Sequence, residues 1–140
     1  MSEGNKAIVS RSVEEVWNKG NLDLIDEFYA DNYVGHGTAG QDEDGPEALK
    51  QGITNVRTAY PDLHLTIEDL IAEGDKVVGL WTATGTNTGT RMDGGPATGK
   101  RVTVSGITIN RIYGGKIVES WARWDSLSMY KQLGVTPPME

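Results

Sequence analysis

At Pro61 the apolar residues change their period, and that switch constrains the fold more than any other feature of the chain. Before it, Val9, Val13, Val16 and Trp17 fall at i, i+4, i+7 and i+8, which places them on one stripe of a helix. Leu49, Ile53, Val56 and Tyr60 mark the buried face of another helix, which Pro46 can open and Pro61 ends. After Pro61, Leu63, Leu65 and Ile67 alternate with His64, Thr66 and Glu68, the period of a strand covered on one face. Helices first and alternating strands afterwards is the α+β pattern, and residues 1–140 are the length of one domain.

The punctuation between these segments places the other elements. The first helix is expected over residues 6–18, with Gly20 as its stop. A second, short helix over 22–29 takes Asn21 as cap and turns Leu22, Ile25, Phe28 and Tyr29 inward, after which the chain extends to His36. Residues 37–45 are glycine-rich and acidic and read as a loop. Strands over 77–86, 101–113 and 116–125 follow, joined at Gly114-Gly115 by a tight turn, so the sheet is expected to be an antiparallel meander. The long connection at 88–99, with Arg91, Met92 and Asp93 among glycines, reads as a hairpin loop or a flap at the mouth of a cavity. Ser126 is placed to cap a last helix with Leu127, Tyr130 and Leu133 inward, and Pro137-Pro138 releases the tail.

Composition narrows the function. With 20 acidic against 13 basic residues the formal charge is −7, which disfavours nucleic acid and anionic membrane surfaces as partners. The absence of cysteine removes disulfides, thiolate zinc sites and thiol nucleophiles, and is compatible with a cytoplasmic, soluble protein. His36 and His64 are the only histidines and lack metal-ligand spacing; no phosphate-cradling Gly-x-x-x-x-Gly-Lys-Ser is present. A small, hydrophobic ligand and no metal or organic cofactor are the expectation.

The last strand carries the most chemistry. Alternation turns Ile117, Glu119, Trp121, Arg123 and Asp125 to one face and Val118, Ser120, Ala122 and Trp124 to the other. Tryptophan on both faces means that both are covered, and the small Ser120 and Ala122 beside Trp124 leave room for a ligand or for ordinary packing.

Six segments together resemble the SnoaL-like polyketide cyclase family, within the nuclear transport factor two-like superfamily. They are residues 13–20 (VEEVWNKG), Asp31-Asn32-Tyr33-Val34 followed by His36, Tyr60-Pro61-Asp62-Leu63, 71–77 (IAEGDKV), 96–102 (PATGKRV) and 115–121 (GKIVESW). The resemblance implies a cone, a curved antiparallel sheet wrapped round the N-terminal helices with an apolar pocket, assembled as a homodimer. It also implies cofactor-free ring closure by intramolecular aldol condensation of a polyketide ester, with an aspartate directly after the tryptophan of the last strand as acid and base. Here Ala122 stands at that position, and a methyl group cannot move a proton.

The candidate proton carriers are therefore Asp125 and His36, with Asn110 polarising a carbonyl. Each has a plainer reading: a surface salt bridge of Arg123 with Asp125 or Glu119, a histidine that fixes the loop after Gly35, and a cross-strand hydrogen bond from Asn110. Tyr33, Tyr60, Trp81, Met92, Thr108, Ser120, Ala122 and Trp124 are the expected lining of a substrate site. His64 alternates with core leucines and is expected to face away. The competing functions are a non-catalytic binder that has lost its acid/base group, and an interaction module that uses the outer face around Trp121 and Arg123 to form a dimer.

Overall fold

The computed structural model describes residues 2–37 and 42–136. Helix α1, Ser2–Ser12, runs into a π-helical turn over Val13–Asn18, so the first helix starts earlier than the apolar stripe and widens in its last turn. Val9 and Val16 are buried and Val13 and Trp17 half-buried, as the stripe requires. Gly20 ends it at φ +74°, and a Cβ there would lie 2.7 Å from the Arg57 side chain. That guanidinium donates to the carbonyls of Trp17 and Asn18 at 2.7 and 2.9 Å and ties the turn to the third helix.

The second helix is shorter than its apolar spacing suggests. It divides into a 3-10 turn at Leu22–Leu24 and α2 at Ile25–Phe28, and Tyr29 already opens strand β1, Tyr29–His36. Asn21 does not cap it; its amide donates to Glu15 at 3.1 Å instead. The segment read as a loop contains a strand, β2 at Asp42–Asp44, paired antiparallel with β1 so that Gly35 faces Glu43 and His36 faces Asp42. The remainder of that loop, 38–41, lies outside the described residues, as does the release at Pro137-Pro138.

Helix α3, Pro46–Ala59, buries Leu49, Ile53 and Ala59 and half-buries Val56. Four long strands follow, β3 His64–Glu73, β4 Lys76–Thr86, β5 Arg101–Tyr113 and β6 Lys116–Trp124, and α4, Ser126–Leu133, closes the chain. The six-stranded sheet has the order β2-β1-β6-β5-β4-β3. It is not wholly antiparallel: β1 pairs with β6 in parallel, because the whole meander forms the crossover between them. Side-chain alternation cannot reveal that pairing, since it is the same for either direction. The arrangement is an α+β cone with the N-terminal helices inside the curve.

Two cores fill the cone. One joins Val9, Val16, Ile25, Phe28, Tyr29, Tyr33, Leu49, Ile53, Val77, Ile112 and Ile117. The other joins Ala59, Tyr60, Leu63, Ala83, Val102, Met129 and Leu133. Ile117 reaches the first core through a bulge: Ile112 pairs with Ile117 and Arg111 with Glu119, leaving Val118 as the extra residue. It is therefore inward, opposite to plain alternation, while the faces of residues 119–124 are as expected.

In α4 the cap is Asp125, whose carboxylate accepts from the Ser128 N–H at 3.0 Å, and not Ser126. Leu133 is buried and Tyr130 half-buried against the second core as expected, whereas Leu127 is turned out, 52% exposed, and Met129 is buried in its place. The loop 88–99 is clamped at its root by buried Asn87. Its Nδ2 donates to the carbonyls of Ala59 and Gly89, both at 3.0 Å, and its Oδ1 accepts from the Thr98 backbone N–H at 2.8 Å.

Candidate functional site

The concave face between the two cores is where polar groups enter. Antiparallel pairing sets Asn110 opposite Ser120, Thr108 opposite Ala122 and Gly106 opposite Trp124, and on the other side of β5 it sets Trp81 opposite Gly106. Gly106 gives Trp81 space, since a Cβ there would overlap the indole and crowd the Trp124 Cβ at 2.7 Å. The Trp81 Nε1–H donates to Thr108 Oγ1 at 3.0 Å, which fixes the ring along the strand. Trp81, Val104, Thr108, Ala122 and Trp124 are half-buried, so this part of the concave face is not sealed.

At its inner end Ser120 and Asn110, each 6% exposed, are joined by a hydrogen bond from Ser120 Oγ to Asn110 Oδ1 at 2.7 Å. Ser120 spends its one hydrogen there, and Tyr33 lies beside it on the same face. Burial holds the Tyr33 phenol well above the usual tyrosine range and keeps it protonated. Tyr33 meets Tyr29 edge to face, ring centroids 4.9 Å apart, and the Tyr29 hydroxyl is paired with Ser12 at 2.8 Å. The Asn110 Nδ2 has no hydrogen-bond partner among the described residues.

A carboxylate reaches the same interior from β2. Strand alternation turns Asp42 and Asp44 out and Glu43 in, beside Gly35 of β1. Two glycines make room for it: a Cβ on Gly52 of α3 would overlap Glu43 Oε2, and one on Gly35 would lie 3.3 Å from Glu43 Oε1 and against the Tyr33 hydroxyl. Half-buried, with no cation or donor paired to it among the described residues, the Glu43 carboxyl has its pKa pushed up to about 7 by desolvation. Periodicity missed this residue because it sits between two aspartates in a glycine-rich acidic segment. The available signal was that a residue flanked by two polar neighbours points opposite to both once the segment pairs as a strand.

The three expected catalytic residues are not brought together. Asn110 is inside. His36 is on the convex side, stacked on Trp121 at 5.6 Å, with Nε2 2.8 Å from Glu119 and Nδ1 3.4 Å from Asp42. The Glu119 hydrogen bond, ahead of Asp42, raises its pKa, and the same bond followed by Arg111 lowers that of Glu119. Asp125 is exposed on the rim as the α4 cap. The salt bridges expected of Arg123 do not form: its Nη1 donates to the Ala122 carbonyl at 2.8 Å, and Glu119 is held by His36 and Arg111.

Of the expected lining, Tyr33 and Ser120 adjoin Asn110 and Glu43, while Thr108, Trp81, Ala122 and Trp124 continue the same face outward. Tyr60 is buried in the second core, its pKa pushed up to about 12 mainly by desolvation, and Met92 packs against that core from the loop. His64 is exposed. A hollow of about 360 Å³ is lined by Leu80, Ser105, Gly106, Ile107, Arg123, Trp124 and Asp125, and one of about 210 Å³ by Gly20, Leu22, Ile53, Thr54, Arg57 and Thr58; neither takes in Asn110, Ser120 or Glu43. No group of three or more His, Asp or Glu suited to a metal occurs among the described residues, and no described helix is long and apolar enough to cross a membrane.

Comparison with known proteins agrees with this architecture. The profile of the SnoaL-like polyketide cyclases matches residues 7–133, and the chain belongs to that family. It is 31% identical over 127 residues to the aklanonic acid methyl ester cyclases DauD of Streptomyces sp. strain C5 and DnrD of Streptomyces peucetius. The match covers 89% of this chain in both cases, with 78% of DauD and 87% of DnrD. A SnoaL-like cyclase homologue from Jannaschia sp. CCS1 superposes with a TM-score of 0.89 over 97% of this chain and 95% of its own, at 24% identity, a likeness of fold.

Proposed function

We propose that the protein performs acid/base chemistry on a hydrophobic carbonyl compound, without a cofactor, at the concave face between the two cores. The observation that carries the reading is the Asn110 amide, whose oxygen is occupied by Ser120 and whose N–H donors are left for a ligand. An oxygen placed there accepts a hydrogen bond that strengthens as enolate charge develops on it, which favours the transition state over the bound ketone. Trp81, Ala122 and Trp124 supply apolar wall for the remainder of the molecule. The chemistry proposed is removal of a proton α to a carbonyl; the resulting enolate carbon then attacks a second carbonyl of the same molecule, and the alkoxide so formed takes up a proton. DauD and DnrD, named for closing a ring in aklanonic acid methyl ester, support this class of substrate.

The test uses 2-tetralone, a hydrophobic ketone with exchangeable C–H groups, in D2O with proton NMR. The wild type is expected to accelerate exchange, and Asn110→Ala to slow it by about 100-fold, the usual worth of one oxyanion donor. Equal rates in the two proteins would refute the role of Asn110. Binding of 2-tetralone without any exchange would favour the second reading, a ligand binder in which Ala122 marks a lost catalyst. The partner we propose for the convex face is a second copy of the chain, supported by exposed Leu80 and Ile107 beside Trp121 on that side; sedimentation equilibrium decides it.

A further inference from the structure

We infer that Glu43 is the proton carrier of this site, doing from β2 what the family's carboxylate does from position 122. The inference rests on the reading of the site given above and adds the residue that its chemistry lacks.

Three observations place the group. The β1–β2 register sets Glu43 opposite Gly35, on the side of the sheet that carries Tyr33, Ser120 and Asn110. Gly52 and Gly35 leave the volume its two oxygens occupy, since a methyl on either would meet the carboxylate. The carboxylate has no ion pair or hydrogen bond among the described residues, whereas Glu119 is held by His36 and Arg111, Asp62 by the Thr86 N–H and Asp125 by the Ser128 N–H. An inward carboxylate with no structural partner is free to exchange a proton with a ligand.

The groups that face it explain why it can do so near neutrality. From β1 come the phenols Tyr29 and Tyr33, both held protonated by burial. From β6 and β5 come the neutral Ser120 and Asn110. From α3 comes backbone at Gly52. On β2 and the outer side of β1, Asp42 and His36 are paired with each other on the opposite face. No cation is among them to hold the carboxylate ionised, and desolvation moves its proton affinity toward neutral pH, where a general base works best.

A C–H bond α to the ligand carbonyl breaks, its proton forms an O–H bond on Glu43, and its electron pair moves into the enolate, whose oxygen accepts from Asn110 Nδ2. Reprotonation by Glu43 returns the proton to carbon in simple exchange or to the alkoxide oxygen after ring closure.

The experiment measures 2-tetralone exchange in D2O together with the affinity for 2-naphthol, which has the shape of its enol but no acidic C–H. The wild type is expected to exchange 2-tetralone with a rate that rises through an apparent pKa near 7. Glu43→Gln is expected to lose about 100-fold or more in rate while its affinity for 2-naphthol stays within about threefold, and Glu43→Asp to retain part of the rate. Retained 2-naphthol binding shows that the variant is folded. Exchange by Glu43→Gln within about threefold of wild type would overturn the role of Glu43 and leave the proposed function standing. A wild type that binds 2-naphthol but exchanges nothing would overturn Glu43 as a proton carrier in favour of the binder reading. A wild type that neither binds nor exchanges would overturn the proposed function, and this inference with it.

Discussion

Ser120 on β6 and Asn110 on β5 face each other across the sheet, and the 2.7 Å bond from the serine hydroxyl to the amide oxygen fixes which way the amide points. Both side chains are buried, so their partnership decides the polarity of the concave face. Removing the hydroxyl leaves the Asn110 oxygen without that donor. Ser120→Ala is expected to lose about 1–3 kcal/mol of stability, the cost of a buried acceptor left unsatisfied, measured by urea denaturation. Ser120→Cys, a weak donor of similar size, is expected to fall between the two.

Glu43 makes stability fall as the pH rises. The unfolded carboxyl titrates near its ordinary value of 4.5 and the folded one near 7, so between those values the native state binds the extra proton. Stability therefore declines with pH across that window. Urea midpoints recorded from pH 4.5 to 8 are expected to fall in the wild type, and the fall is expected to be smaller in Glu43→Gln.

The convex His36–Glu119 pair acts in its own window. His36 has its pKa raised from 6.5, first by the Glu119 hydrogen bond, so its stabilising contribution is complete below 6.5 and disappears as pH rises through the higher folded value. Glu119 has its pKa lowered from 4.5, so its contribution is present above 4.5 and disappears on acidification through the lower folded value. The pair is fully effective between about pH 4.5 and 6.5. Glu119→Gln is expected to lower the His36 pKa read from its imidazole proton resonances; an unchanged titration would show that the pair does not exist in solution.

Asn87 holds the long loop to the third helix. Asn87→Ala removes the donor to the Ala59 and Gly89 carbonyls and the acceptor for Thr98. The loop is expected to become a site of rapid tryptic cleavage at Arg91, with a stability loss of about 1–3 kcal/mol from the buried groups left unpaired. Cleavage at the wild-type rate would mean that Asn87 does not restrain it.

The sequence by itself determined the elements and the covered face of most of them. Period and punctuation are local properties, and a strand's alternation or a helix's stripe is legible without knowing what lies opposite. So the α+β order, the inward Ser120 and Ala122 and the shared face of Thr108 and Asn110 could all be read from residues a few positions apart. The family segments added the cone, and Ala122 announced the missing carboxylate.

Pairing was decided only in three dimensions. That β1 lies parallel to β6, that one bulge turns Ile117 inward, and that His36 meets Glu119 outside while Glu43 enters between Gly35 and Gly52 all depend on which strand lies beside which. A three-residue acidic strand has no apolar alternation of its own to betray its register, and glycines give no sign of the side chain that will fill the space they leave. The side of the sheet on which a charged group ends is set by its neighbour across the hydrogen bonds, tens of residues away, and that partner is a product of the folded chain.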